Sequence, residues 1–407
     1  MKKPNKPKRF SLIAYFVATA LLLAVAGCAP PTEVKRSETT AAAEPAEAAT
    51  AELTTVAETT AVPDDAARAA SGSAATAAKR AFTDDAGREV ALPEKIAKAA
   101  ASGPMAQVGL FAAAPDKLAG TAAAWTDDAK AFIPAKYLSL PVLGQLYGGK
   151  GSMNLEELLA AAPDVVVDIG EPKKTIVEDL DQLQSQTGIP FVHISAYLNN
   201  LGQTYRRLGE LLGEDTGRMA DYCDRVYGKS AALAKKLGGE NAKTKILYCR
   251  GDKGLNIIAK TSFHGEVLDL MADNLGAAGE VSFSGDGNEV DFEQILNWNP
   301  EAILFAPHSI YSTVGADAAW QKLDAVAGGR YYEVPASPYN WVTDPPSVQR
   351  ILGLTWISGL LYPQDDPGGA KPDIVEYFKL FYHVDLSDEM YDGLVKNSLG
   401  KERKVEQ

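Results

Sequence analysis

The 407-residue chain has three cysteines and four histidines. It contains no C-x-x-C, no H-E-x-x-H and no G-x-S-x-G, so it lacks the local patterns of thiol-rich zinc sites, zinc proteases and serine-hydrolase elbows. The glycine-rich "GQLYGGKGS" around Tyr147 does not match G-x-x-x-x-G-K-[ST] and follows no clear strand, which removes the phosphate-loop reading. Beyond "MKKPNKPKRF" there is no basic stripe. A formal charge of -13 and a pI of about 4.9 argue against a nucleic-acid partner, because a phosphate backbone is held by a basic surface. What is present is ordinary globular material: 46% hydrophobic and 23% charged residues, enough for a large core and two or three folding units.

The basic start, the apolar run "SLIAYFVATALLLAVAG" and Cys28 in "VAGC" form a targeting signal. The run alone also fits a membrane span. "VAGC" decides between them, since it resembles the bacterial lipobox, in which the cysteine is lipidated and becomes the first mature residue. Residues 1–28 are therefore read as a lipoprotein signal and 29–81 as a tether. That Ala-, Thr-, Glu- and Pro-rich stretch has too little apolar surface to offset its chain entropy. A flexible coil of about 50 residues spans roughly 35 to 45 Å, so the folded part would sit close to a membrane.

From Phe82 the chain alternates strand-like and helical runs. "IAKAAASG" precedes a helical "MAQVGLFAAA"; "APDVVVDIG" and "IPFVHIS" are strands around a helical "TIVEDLDQLQSQTG". After the long helical "EDTGRMADYCDRVYGKSAALAKKLGG" the alternation resumes with "KTKILYCRG", "NIIAKTSF", "GEVLDLMADNLG", "EAILFAP" and "GRYYEVPA". Such alternation signals parallel βαβ units. The expected fold is α/β: two Rossmann-like lobes, over 82–212 and 241–363, joined by one long helix over 213–240, with a ligand cleft between them. Residues 364–407 form a helical extension expected to pack on the second lobe.

One element occurs twice, as "NLEELLAAAPDVVV" from Asn154 and "DFEQILNWNPEAIL" from Asp291. Asn154 with Glu157, and Asp291 with Gln294, sit at the spacing of a capping box in variant form. Leu155, Leu158, Leu159 and Ala162, and likewise Phe292, Ile295 and Leu296, fit an inward helix face; Pro163 and Pro300 stop the helices before buried strands. Glu156 and Glu293 fall outside that face. An acidic residue in a first helical turn is also explained by the macrodipole, worth about 0.3 to 1 kcal/mol, so spacing alone leaves two accounts of each.

The lipoprotein start, the two lobes, the linking helix, the N-L-E-x-(I/L)-x-x-x-x-P-D-(L/V)-V element and the opening "FTDDAGREVALPEKI" together resemble the substrate-binding proteins of ABC importers for iron-siderophores, haem and vitamin B12. The likeness spans roughly Ala81 to Pro363. It implies an extracytoplasmic, lipid-anchored, monomeric protein without enzymatic activity or intrinsic cofactor. Such a protein captures a ferric siderophore or other metal chelate and delivers it to a permease dimer with its cytoplasmic ATPase. It also implies that Glu156 and Glu293, one per lobe, dock on permease arginines, and that delivery uses small lobe movements about a stiff helix. Cobalamin, haem or an oxyanion such as molybdate are alternative ligands. A chelatase-like enzyme and a surface lipoprotein without transport are alternatives of another kind.

Ligands of open α/β sheets bind beyond the carboxyl ends of the strands. The loops expected there bring forward Tyr147, Arg250, His308, Tyr311, Tyr339 and Trp341. His264 and His308 are weak candidates for metal ligation, and Met153 is read as core. Each has a structural alternative: aromatic residues in "PYNW" can pack under their loop, and Arg250 can serve a salt bridge. Cys223 lies on the linking helix and Cys249 in a strand of the next lobe, so only their separation decides whether they pair.

Overall fold

The structure is a computed structural model and describes residues 78–147, 152–239, 242–277, 279 and 287–399. The signal run, Cys28, most of the expected tether, the glycines after Tyr147, most of "FSGDGNE" and the "KERKVEQ" end lie outside the described residues. The first strand reaches three residues into the expected tether, because β1 (Lys79–Thr83) pairs antiparallel with β2 (Glu89–Pro93) from Lys79 onward. The hairpin explains the "DDAGR" opening. Asp84 accepts the backbone N–H groups of Ala86, Arg88 and His193, and Gly87 supplies a left-handed φ of +82° in the turn. Buried Arg88 returns to Asp84 at 3.1 Å and to the Phe191 carbonyl at 2.9 Å, fastening the hairpin to the first lobe.

The first lobe holds β3 (Ala99–Ala101), β4 (Leu118–Gly120), β5 (Val165–Gly170) and β6 (Phe191–Ser195) in the order β4-β3-β5-β6, all parallel. The second holds β7 (Lys245–Arg250), β8 (Asn256–Ile257), β9 (Asp273–Asn274), β10 (Asn288–Glu289), β11 (Ala302–Phe305) and β12 (Tyr331–Glu333). Here β7, β11 and β12 are parallel, β9 adds in parallel to β7, and β8 and β10 run antiparallel beyond it. "NIIAKTSF" thus contributes only a two-residue strand. "GEVLDLMADNLG" is a helix only to Met271, after which Asp273 and Asn274 join the sheet.

Successive strand residues point to opposite faces, and the cores divide accordingly. Val165 and Val167, like Ile246 and Tyr248, enter one large central core; Val166 enters a separate outer core of the first lobe, and Leu247 and Cys249 one of the second. The linking helix, Gly217–Leu237, adds Cys223 to the central core. Cys223 and Cys249 therefore serve different cores, and both are free thiols.

A helix not foreseen from sequence, Leu201–Leu212, lies along the linking helix, where Gly202 permits the approach: a Cβ there would stand 2.0 Å from Asp224 Oδ1. The C-terminal extension differs from expectation as well. Its aromatic run pairs Phe378 with Phe132 and Tyr382 with Phe111 of the first lobe, and Phe381 with Tyr205 and Tyr222. Arg225 of the linking helix binds Asp373 and Glu376, while Asn397 and Ser398 bond Glu333 of the second lobe. Several adjacent large aromatics need apolar surface from more than one element, so the extension straps both lobes to the linking helix.

Candidate functional site

The repeated element folds alike in both lobes. Asn154 Oδ1 accepts the N–H groups of Glu156 and Glu157 and starts the helix Leu155–Ala161; Asp291 Oδ1 accepts that of Gln294 and starts Phe292–Trp298. In neither copy does the side chain of Glu157 or Gln294 return to the N-cap backbone N–H, so the reciprocal half of the capping box is not closed. Each helix ends one residue before its proline, at Ala162 and Asn299, whose φ values of 46° and 38° are left-handed. That reversal turns Ala162 outward, and Leu159 is 50% exposed, so in the first copy only Leu158 is fully buried and Leu155 half-buried. Glu156 and Glu293 are exposed, and neither has an ion-pair partner among the described residues.

Between the lobes lies a cavity of about 470 Å³. Thr126, Asp127 and Asp128 border it from the first lobe; Arg250, His308, Tyr339 and Asp344 border it from the second. The second-lobe wall is organised by Asn340. Its Nδ2 donates to Tyr248 Oη at 2.8 Å, and its Oδ1 accepts the N–H groups of Val342 and Thr343. The loop is thereby held so that Asp344 meets Arg250 at 2.5 Å and Thr343 meets His264 Nδ1 at 2.8 Å. Burial, with the positive charges of Arg250, Arg350 and Lys173, lowers the His264 pKa to about 4, so the ring is neutral at pH 7.

Of the sequence candidates, Arg250, His308 and Tyr339 therefore meet at one cavity. His308 is exposed there at a left-handed φ of 57°, and burial pushes the Tyr339 hydroxyl up. Trp341 does not border this cavity: it is 0% exposed, packed under its loop with Nε1 donating to the Ser337 carbonyl. Tyr311 is also structural. It packs against Phe305 and Tyr331 and donates to the Asn397 carbonyl, with burial and Glu333 pushing its hydroxyl up to about 12. Tyr147 is half-buried on the outer core of the first lobe and donates to Asp179 at 2.8 Å, away from the residues bordering the cavity. Met153 is core. His264 lies 3.7 Å from Asp344 with its Nδ1 engaged by Thr343, and no group of three or more His, Cys, Asp or Glu is placed to hold a metal among the described residues.

Two features escaped sequence reasoning. Fully buried Arg350 pairs with Glu266, lies 4.6 Å over the Phe263 ring and donates to the Ala196 carbonyl of the first lobe; Glu266 also accepts Leu198 N–H. This pair joins the lobes, and only its place inside an apolar helix, "PSVQRILGLTW", hinted at it. In the first lobe, Asp168 at the carboxyl end of β5 accepts Ser102 Oγ–H at 2.5 Å and bonds His193 Nδ1 at 2.7 Å; His193 Nε2 meets Ser195 Oγ at 3.3 Å. A polar residue at the end of each of three buried strand runs was its only signal.

Two α/β lobes with largely parallel sheets, one linking helix and a cavity bordered by both lobes define a solute-binding architecture. The profile of the periplasmic binding protein family matches residues 106–338, and the chain belongs to that family. It is similar to an ABC transporter solute binding protein from Sulfurospirillum deleyianum, with 29% identity over 78% of this chain and 99% of the other and a TM-score of 0.68. The fold also matches the molybdate periplasmic binding protein of Haemophilus influenzae, 21% identical over 76% and 99% of the two chains with a TM-score of 0.59. The catecholate-siderophore binding protein of Vibrio cholerae matches at 17% identity over 68% and 99%, with a TM-score of 0.50. No curated protein matches the chain. The protein is thus an extracytoplasmic solute-binding protein of the ABC-transporter kind. No helix among the described residues is long and apolar enough to cross a membrane.

Proposed function

We propose that this protein is the lipid-anchored, monomeric receptor of an ABC importer that captures a metal chelate between its lobes and presents it to a permease dimer coupled to a cytoplasmic ATPase. In this reading Cys28 carries the lipid and residues 29–81 tether lobes over 82–212 and 241–363, with 213–240 linking them and 364–407 as an added strap. The cavity bordered by both lobes carries the proposal, because its polar groups, Arg250, His308 and Asp344, converge where a cargo would be enclosed. The cargo is a ferric siderophore or related chelate; the likeness to a molybdate binder and a catecholate-siderophore binder supports a metal-bearing small molecule. Arg250 and His308 would orient it by hydrogen bonds and Tyr339 would supply a flat apolar face.

The exposed, unpaired Glu156 and Glu293 are assigned to docking. One carboxylate per lobe suits a two-fold partner that offers an arginine on each half. The test has two parts. Thermal melting with ferric siderophores, haem, cobalamin and molybdate should show one ligand stabilising by about 2.7 kcal/mol at 100 times its Kd. Uptake by the Glu156→Arg, Glu293→Arg double variant should fall to background with binding intact; unchanged uptake would sink the docking assignment.

A further inference from the structure

A second cavity, of about 510 Å³, adjoins the first. Asp127, Asp128, Pro307, His308 and Ala336 border both, so a single lip separates two compartments. The far wall of the second is made by the C-terminal helix Asp388–Val395 and the residues after it, beyond the span that matches the family. This wall is fixed rather than loosely draped. Ser387 Oγ caps the helix on Met390 N–H, Lys371 holds Asp388 at 2.8 Å, and Glu333 accepts Asn397 Nδ2 at 2.8 Å while its carbonyl accepts Ser398 Oγ–H at 2.6 Å.

We infer that this cavity is a second compartment of the ligand cleft, taking the uncharged or cationic, partly apolar periphery of a chelate whose centre lies beside Arg250 and His308. The inference rests on the proposed function and narrows its cargo. Phe132, Val334, Met390 and Leu394 give the compartment apolar walls, and a methionine adapts to irregular shapes. Its charged lining is mainly acidic: Asp128, Glu333 and Asp127, the last paired with Lys130 at 2.8 Å, outnumber Lys396, while Arg250 in the neighbouring compartment is already paired with Asp344. An anionic arm would meet Asp127 and Asp128 at the shared lip and Glu333 beyond it, and juxtaposed like charges discriminate against a ligand as effectively as good contacts select for one. Either compartment alone suits a small solute; the two together suit a bulky chelate.

Gly393 supplies the test. It lines the compartment, is exposed, and a Cβ added there meets nothing within 4 Å, so substitution there introduces no backbone clash. Calorimetric titration of the full folded protein uses three probes: a neutral ferric tris-hydroxamate, an anionic ferric tris-catecholate and molybdate. The wild type should bind the neutral complex most tightly. Gly393→Trp should weaken that binding by about tenfold or more while Gly393→Ala stays within about twofold, with melting temperatures in the absence of probe not lowered, since Gly393 lies inside a helix where other residues are favoured. Tight binding undisturbed by Gly393→Trp, or a preference for the anionic complex or molybdate, overturns the inference and leaves the receptor reading standing. Failure of every probe to bind overturns the receptor reading and this inference with it.

Discussion

Each lobe carries a histidine and an aspartate close together, His193 and Asp168 within β6 and β5 of the first lobe and His264 and Asp344 outside the strands of the second, and the two lobes use them differently. In the first, His193 is fully buried, bonds Asp168 at 2.7 Å, and the remaining Asp168 oxygen is taken by Ser102. In the second, His264 stands 3.7 Å from Asp344, and Arg250 rather than histidine takes the carboxylate. A network satisfied from within has nothing left for a solute, and such a network mainly fixes local geometry. An arginine–aspartate pair at a cavity wall still offers donors to whatever enters. The first lobe therefore closes its polar pair on itself, while the second leaves its arginine–aspartate pair at the cavity wall.

Breaking the sealed network should have the larger effect. His193→Ala leaves Asp168 buried with half its partners and is expected to cost about 3 to 5 kcal/mol, measured by urea unfolding. His264→Ala at pH 7 removes one hydrogen bond to Thr343 from a neutral ring and should cost about 1 kcal/mol. Equal losses at the two positions would erase the distinction.

A pH series sharpens the same contrast. The folded pKa of His264 lies near 4 and the ordinary value is 6.5, so between these the unfolded chain holds more protons. His264 therefore contributes its full stability above pH 6.5, and that contribution is lost as pH falls toward 4, by about 3 kcal/mol in all. His264→Gln, which keeps a donor for Thr343, should flatten the stability profile over that window. A profile identical to the wild type would mean that other groups govern acid sensitivity.

The repeated helices show what sequence can and cannot disclose. Their existence, caps, stopping prolines and following strands were legible from Asn154, Asp291, Pro163 and Pro300, because each is a local chemical requirement. That Arg250, His308 and Tyr339 come to one cavity was legible because segments at and after the ends of parallel strands face the space between the lobes. Trp341 and Tyr311 pack away from that cavity, and sequence could not show this, since the same aromatic side chain in a loop either lines a cavity or packs beneath it, and only the surrounding walls decide. The Arg350–Glu266 pair and the strap of 371–382 join residues far apart in the chain, and no local pattern encodes such a meeting. Leu159 was misassigned for a related reason: helical spacing fixes a face, but the width covered depends on how much sheet lies beneath. Leu296, its counterpart, packs against the outer core of the second lobe. Leu296→Ala should cost about 1 to 2 kcal/mol and Leu159→Ala less than about 0.5 kcal/mol. A large loss at Leu159 in the isolated protein would show that its exposure is misjudged; a loss of uptake alone would add it to the docking face beside Glu156.

The smallest effect tests the helix ends. Ala162 and Asn299 both take left-handed backbone, but alanine has no side chain to compensate for the strain its Cβ creates there, whereas Asn299 donates to Asp324 at 2.9 Å. Glycine removes that strain at the expense of chain entropy, so Ala162→Gly should stabilise the protein by about 0.5 kcal/mol. Asn299→Gly gives up its hydrogen bond and should be neutral or slightly destabilising. Thermal melting of the two variants side by side separates these signs, and a shared sign would mean that the two turns, alike in backbone, are also alike in what holds them.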